Sequence, residues 1–240
     1  AQTMAWMMDT YSQEVGAASP GVVTGKPIEI GGSLGRNGAT GLGVVFIAEK
    51  ALEKLGMKMS NTSMVIQGFG NVGSHAALYA HQRGAKILAV SDVSGGIYNS
   101  AGLDIPELLK WVTENKIIKG FPKAEPISNE ALLELKCDVL APCAMENQIN
   151  EENAPRINAK IIVEGANGPT NNEATTILHE RDVLICPDIL ANGGGVIVSY
   201  FEWVQGMASF FWTEEDVNER LKRIINGAFD KVWEVKKETK

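Results

Sequence analysis

The chain is poor in the residues that bind metals or cross-link a fold. It has three cysteines, Cys137, Cys143 and Cys186, and three histidines, His75, His81 and His179, in 240 residues. The cysteines are odd in number and lack metal-ligand spacing, which suits a reducing compartment; they read as small core or site-wall residues. The histidines form no i, i+4 pair, so packing or surface roles outweigh chemistry for each, and no metal site is expected. No apolar run approaches the roughly 20 residues that span a bilayer. Ala1-Gln2-Thr3 opens no signal peptide, so a soluble, cytoplasmic protein is expected. Positive charge is scarce too: 22 Lys and Arg stand against 29 Asp and Glu, a net charge of −7. With no basic stripe and no aromatic-studded basic surface, neither nucleic acid nor a membrane is an expected partner.

What is abundant is glycine, 25 residues of it, within a composition that is 45% apolar and can build a real core. The pattern of greatest consequence is Thr62-Ser63-Met64-Val65-Ile66-Gln67-Gly68-Phe69-Gly70-Asn71-Val72-Gly73. A short apolar run meets a G-x-G-x-x-G triplet, and a helical pattern follows to Arg83. Gly68 suits a sharp turn out of a strand, Gly70 lets a pyrophosphate reach the backbone, and Gly73 lets the helix approach the strand. The free N–H groups of that helix start face an anion. About twenty residues on, the run Lys86 to Ser91 ends at Asp92, whose carboxylate can accept from both hydroxyls of an adenosine ribose. Strand, turn, helix and acid together point to NAD, with NADP possible.

Further apolar runs recur at Cys137 to Ala141, Lys160 to Val163 and Val183 to Cys186. Helical patterns lie near Leu42 to Leu55, Ile105 to Asn115, Asn129 to Leu135, Glu151 to Ile157 and Asn172 to Glu180. Strands too apolar to alternate, separated by helices, predict an α/β fold with a doubly wound, mostly parallel sheet, Rossmann-like, covered by helices on both faces. The carboxyl ends of the strands then share one edge, where ligands of such folds bind. Ahead of this, Met4 to Glu14 predicts a helix with no visible cap. It leads into a glycine-rich shaped loop whose Thr24, Ser33, Arg36 and Thr40 give it more polar recognition capacity than a connector requires. Val196 to Phe211 predicts a helix whose Tyr200, Phe201, Trp203, Phe210 and Phe211 mostly pack against the sheet or a neighbouring domain. The final helix starts at Thr213, an N-cap followed by Glu214, Glu215 and Asp216.

Met4 to Ser12, Gly31-Gly32-Ser33-Leu34-Gly35-Arg36 with Ala39-Thr40-Gly41, Gly68 to Gly73, Glu164-Gly165-Ala166-Asn167 and Pro187 to Asn192 together resemble glutamate dehydrogenase, of the Glu/Leu/Phe/Val dehydrogenase family. The resemblance covers almost the whole chain, in order. It implies reversible oxidative deamination of L-glutamate to 2-oxoglutarate and ammonia, with hydride passing to a nicotinamide. Carried over by position, it assigns Gly68, Phe69, Gly70, Asn71, Val72 and Gly73 to the pyrophosphate turn and Asp92 to the ribose. Thr40 and Asn71 go to the nicotinamide end, Ala141, Cys143, Ala144 and Asn167 to the cofactor cleft, and Val196 and Ser199 to the glutamate side chain.

The resemblance also divides the chain into residues 1–35, a partial interdomain helix and glycine-rich loop; 36–212, the NAD-binding domain; and 213–240, an amphipathic helix ending before the family's last one. The family's substrate-gripping lysines and catalytic aspartate precede the Met4 segment, and the missing initiator Met points the same way, so no catalytic residue is expected here. The expectation is a cofactor domain that binds NAD without turnover and meets glutamate or 2-oxoglutarate only with the missing domain. The parent would be a homohexamer and this piece a monomer or weak dimer. Lys26 and Arg36 are the only basic residues of the glycine-rich loop, and neither is expected to meet a carboxylate. The alternatives are a leucine- or valine-type dehydrogenase, which Ser199 disfavours, and an NAD-sensing module without chemistry.

Overall fold

The computed structural model describes residues 1–239; Lys240, the end of the expected 213–240 segment, lies outside them. Five apolar segments form parallel strands: β1 (Ser63–Gln67), β2 (Lys86–Asp92), β5 (Cys137–Pro142), β6 (Ala159–Val163) and β7 (Leu184–Cys186). Two short antiparallel strands, β3 (Gly95–Tyr98) and β4 (Glu125–Ile127), extend the sheet beyond β2. The order is β4-β3-β2-β1-β5-β6-β7, so the chain reverses direction of travel across the sheet between β1 and β5. The sequence reading did not include β3 and β4. Gly95-Gly96 and Pro126 are poor strand formers; Pro126 sits in β4, the edge of the sheet, where proline is tolerated, while β3 is held as a strand by pairing with β2 on one side and β4 on the other.

The helices are α1 (Gln2–Val15), α2 (Ala39–Lys54), α3 (Asn71–Gln82), α4 (Ile105–Asn115), α5 (Asn129–Leu133), α6 (Asn172–Glu180), α7 (Asp188–Ala191), α8 (Gly194–Ala208) and α9 (Glu214–Glu238). Side chains alternate across the sheet, so Met64 and Ile66 of β1 enter the core under α2, α3, α8 and α9. Val65 enters a second core shared with Leu178 of α6 and Leu132 of α5. Thr213 caps α9 with a reciprocal capping box to Asp216, a feature that contributes about 1 kcal/mol.

Two expectations are corrected. The helix expected over 151–157 is only a 3-10 turn, Ala154–Arg156, because Pro155 has no N–H to continue a helical ladder. The expected Val196–Phe211 helix stops at Ala208, where Ser209 takes a left-handed φ of 49°. Of its aromatics only Phe201 is buried; Tyr200, Trp203, Phe210 and Phe211 are exposed. α1 likewise buries no residue.

Candidate functional site

The turn after β1 is shaped by its glycines. Gly68 has φ +89°, a backbone state that side chains resist, and its N–H donates to Ser91 Oγ at 3.1 Å, tying the turn to the end of β2. A Cβ on Gly73 would be driven into the carbonyl oxygen of Gly68, so only glycine lets α3 start against the strand it leaves. Around Gly70 the space is open: an added Cβ meets nothing within 4 Å. Gly70 is also the N-cap of α3 and supplies no side-chain cap, so the first N–H groups of this 12-residue helix face that open space. Such a helix start favours an anion.

Beside this turn lies an open cleft of about 640 Å³, within the range of small-molecule sites. It sits at the carboxyl ends of β1, β5 and β6, where the strand order reverses. Seven of the residues singled out from sequence meet on its walls: Thr40, Val72, Cys143, Ala144, Asn167, Val196 and Ser199. The others do not. Ala141 is wholly buried and paired with Ile66 in the sheet, and Phe69 is buried in the same core, so both side chains support the cleft from behind. Asn71 is exposed and donates through Nδ2 to the Asn37 carbonyl at 3.0 Å, bracing the glycine-rich loop against α3.

Asp92 closes β2 as expected, but its carboxylate is already in use. Oδ1 accepts from the Ser94 N–H and hydroxyl, and Oδ2 accepts from the Ile118 N–H at 2.9 Å. A carboxylate oxygen has two acceptor positions, so one remains on Oδ2.

Three residues at the cleft lie in segments that the sequence singles out without giving them a site role. Arg36 is on its wall and donates from Nε to Ser199 Oγ at 2.7 Å, across 163 positions of sequence. This leaves the terminal guanidinium nitrogens available, a planar pair suited to a carboxylate. Asn192 is also on the wall and donates to Asn167 Oδ1 at 2.6 Å, joining the loops that follow β6 and β7. Glu164, nearly buried just below, accepts the Asp188 N–H at 2.9 Å and so holds the same two loops together. Burial raises the Glu164 pKa and the Asp188 carboxylate adds to the effect, while hydrogen bonds to Asp188 and Thr170 oppose it. Lys26 is the correction: it does meet a carboxylate, pairing with Glu202 of α8 at 2.6 Å with both side chains fully buried.

The chemistry available in the cleft is limited. Among the described residues its charged members are Arg36 and the exposed Glu146, and no lysine lies on its wall. The Cys143 thiol is pushed up to about 12 by burial, far from the thiolate form that would make it a nucleophile.

Sheet order, glycine turn and switch-point cleft define a Rossmann-like α/β protein of the kind that binds ligands along its strand ends. The profile of the Glutamate/Leucine/Phenylalanine/Valine dehydrogenase family matches residues 31–240, and the chain belongs to that family. It is 52% identical over 237 residues to the glutamate dehydrogenase of Thermotoga maritima, covering 98% of this chain and 57% of that protein. With the catabolic NAD-specific glutamate dehydrogenase RocG of Bacillus subtilis it shares 50% identity, covering 97% of this chain and 55% of the relative. The fold superposes on hetero-hexameric glutamate dehydrogenase of Thermus thermophilus in a leucine-bound form with a TM-score of 0.89 at 38% identity, covering 95% of this chain and 54% of that one. The chain therefore spans somewhat more than half the length of the relatives it matches.

Proposed function

We propose that the chain is the dinucleotide-binding portion of a glutamate dehydrogenase, whose whole protein interconverts L-glutamate with 2-oxoglutarate and ammonia. The observation that carries this reading is the uncapped start of α3 at Gly70, opening beside a cleft whose wall holds Arg36 and Ser199. In this reading the N–H groups of Gly70 to Gly73 receive the pyrophosphate, and the remaining acceptor on Asp92 takes one ribose hydroxyl. One hydroxyl contact favours NAD while leaving NADP possible. Thr40 and Asn167 orient the nicotinamide end, with Asn192 fixing Asn167. The bound dinucleotide supplies the hydride acceptor. Arg36 and Ser199 then recognise the side-chain carboxylate of glutamate, a contact an apolar amino acid cannot return.

Moving a proton at the α-carbon needs a positioned acid or base and cations within reach of the substrate. Among the described residues the cleft offers Arg36 alone as a cation, and Lys26 is committed to Glu202. The chain by itself is therefore proposed to bind dinucleotide and turn over no glutamate, behaving as a monomer or weak dimer. Its three free thiols suit the cytoplasm. Thermal-shift titrations with NAD, NADH and NADP should each give a saturable rise in Tm, largest for NAD or NADH. Steady-state assays with glutamate and NAD should show no turnover. No shift with any dinucleotide overturns the binding assignment, and family-like turnover by this polypeptide overturns the division of labour.

A further inference from the structure

The side chains Ser199, Glu202 and Gln205 of α8 lie three residues apart, on adjoining turns of one stripe, and each takes a contact from the glycine-rich loop. Arg36 donates to Ser199 at 2.7 Å, while Gln205 Nε2 donates to Ser33 Oγ at 2.9 Å. Glu202 receives the most: Oε2 accepts the Gly25 N–H at 2.8 Å, and Oε1 accepts both the Lys26 N–H at 3.2 Å and the Lys26 ammonium at 2.6 Å. The ammonium also donates to the Val23 carbonyl at 2.9 Å.

From that anchor the loop runs to Arg36 through a continuous set of backbone bonds. The Gly32 N–H closes on the Pro27 carbonyl at 2.9 Å, around the 3-10 turn Ile28–Ile30. The Arg36 N–H then closes on the Ser33 carbonyl at 3.3 Å, and the Ala39 N–H on the Arg36 carbonyl at 3.4 Å, where α2 begins. Between the anchor and Arg36 no stretch of loop is left without such a bond.

We infer that the buried Lys26–Glu202 pair is a positioning device that fixes where Arg36 presents its guanidinium to Ser199 in the cleft. A charge pair withdrawn from water gains little net stability over apolar side chains of the same size. What it does supply here is direction: Glu202 is satisfied only if the Gly25 and Lys26 amides and the ammonium all point at it. The loop register, and with it Arg36, is set relative to the helix that carries Ser199. That the pair Arg36–Ser199 receives a substrate carboxylate rests on the proposed function; the positioning does not.

The test therefore uses no ligand. In the full chain labelled with ¹⁵N, the Arg36 side-chain Nε–H resonance, identified by its loss in Arg36→Lys, is expected to be shifted and slow to exchange at neutral pH. Ser199→Ala should abolish that protection while leaving the Gly25 and Lys26 amides unmoved. Glu202→Gln and Lys26→Met should abolish it as well, with Arg36 Nε–H exchanging at least tenfold faster, while core methyl signals of α2 and β1 stay in place. Where a single substitution prevents folding, Lys26→Met combined with Glu202→Leu fills the site without charge and should still lose the signal, whereas Lys26→Arg should keep it. An Arg36 Nε–H that stays protected in the folded charge-free variant, or is unprotected in the wild type, overturns the inference. A failed dinucleotide titration would bear on the function and leave this result untouched.

Discussion

Two glycines of the same turn, Gly70 and Gly73, should respond to the same substitution in opposite ways. Alanine at Gly73 must move a backbone carbonyl, that of Gly68, which cannot swing aside like a side chain. Overpacking costs about 1–3 kcal/mol, and a backbone clash belongs at the upper end. For a chain of this size, where each kcal/mol shifts Tm by about 2–4 °C, Gly73→Ala should lower Tm by about 6–12 °C. Alanine at Gly70 meets nothing within 4 Å, and the backbone there has φ −75°, open to any residue. Losing glycine at an N-cap costs about 0.5–1 kcal/mol, which the reduced freedom of the unfolded chain offsets by about 0.4–1 kcal/mol. Gly70→Ala should therefore melt within about 2 °C of the wild type. Its effect should fall on binding. The new methyl group holds an anion away from the α3 N–H groups, and losing one hydrogen bond to a charged partner, worth about 1.5–3 kcal/mol, weakens dinucleotide affinity roughly ten- to hundredfold. Calorimetric unfolding and isothermal titration with NADH measure the two effects. The reasoning fails if Gly70→Ala keeps wild-type affinity, or if Gly73→Ala melts like the wild type.

Three other outcomes are expected. Glu164 has its folded pKa raised above the ordinary 4.5, chiefly by burial, so the folded chain holds a proton that the unfolded chain releases; stability is lost as pH rises from about 4.5 through the raised value. Glu164→Gln should gain on the wild type over that climb and hold a constant difference above it; a difference in Tm that does not vary between pH 4 and 7 contradicts this. Asp138 behaves oppositely. Burial alone would raise its pKa, but the Lys160 ammonium at 2.8 Å and the Ser63 N–H and hydroxyl, each at 2.8 Å, outweigh it and hold it below 3.8. Its stabilisation is complete above that value and is lost as pH falls through the lowered one, so Asp138→Asn should be less stable than the wild type at pH 7 and the deficit should shrink as pH falls below 3.8; a deficit that does not change with acidification contradicts the assignment. Cys137, Cys143 and Cys186 are each pushed up to about 12, mainly by burial. A thiol reagent at pH 8 should label none of them rapidly in the folded chain and all three in denaturant, and fast labelling of Cys143 in the folded chain would contradict the raised pKa of that thiol.

The parallel strands were legible because a strand buried on both faces is a continuous apolar run: Met64 to Ile66 and Ile161 to Val163 need no partner to be seen. The glycine turn was legible because its demands are local, a positive φ at Gly68 and a close approach at Gly73. β3 and β4 were hidden because their glycines and proline take strand form only through the neighbour they pair with. Half of the cleft was hidden for a related reason. Ser199 carried a signal by its place after a glycine turn, but its partner Arg36 and the Lys26–Glu202 pair join residues more than 160 positions apart, and no period or spacing encodes such a meeting. The one local sign was a loop more polar than a connector requires.

The most direct measurement of the central claim is an amide map of the ¹⁵N-labelled chain titrated with NAD. Binding along the switch-point cleft predicts saturable shifts at Gly70, Val72, Gly73, Ala144, Asn167 and Asn192, with Asp92 and Ile118 at the adenosine end. Shifts that cluster instead on the opposite edge of the sheet, around Gly84 to Ile87 and Ala101 to Asp104, or no saturable shifts at all, would contradict it.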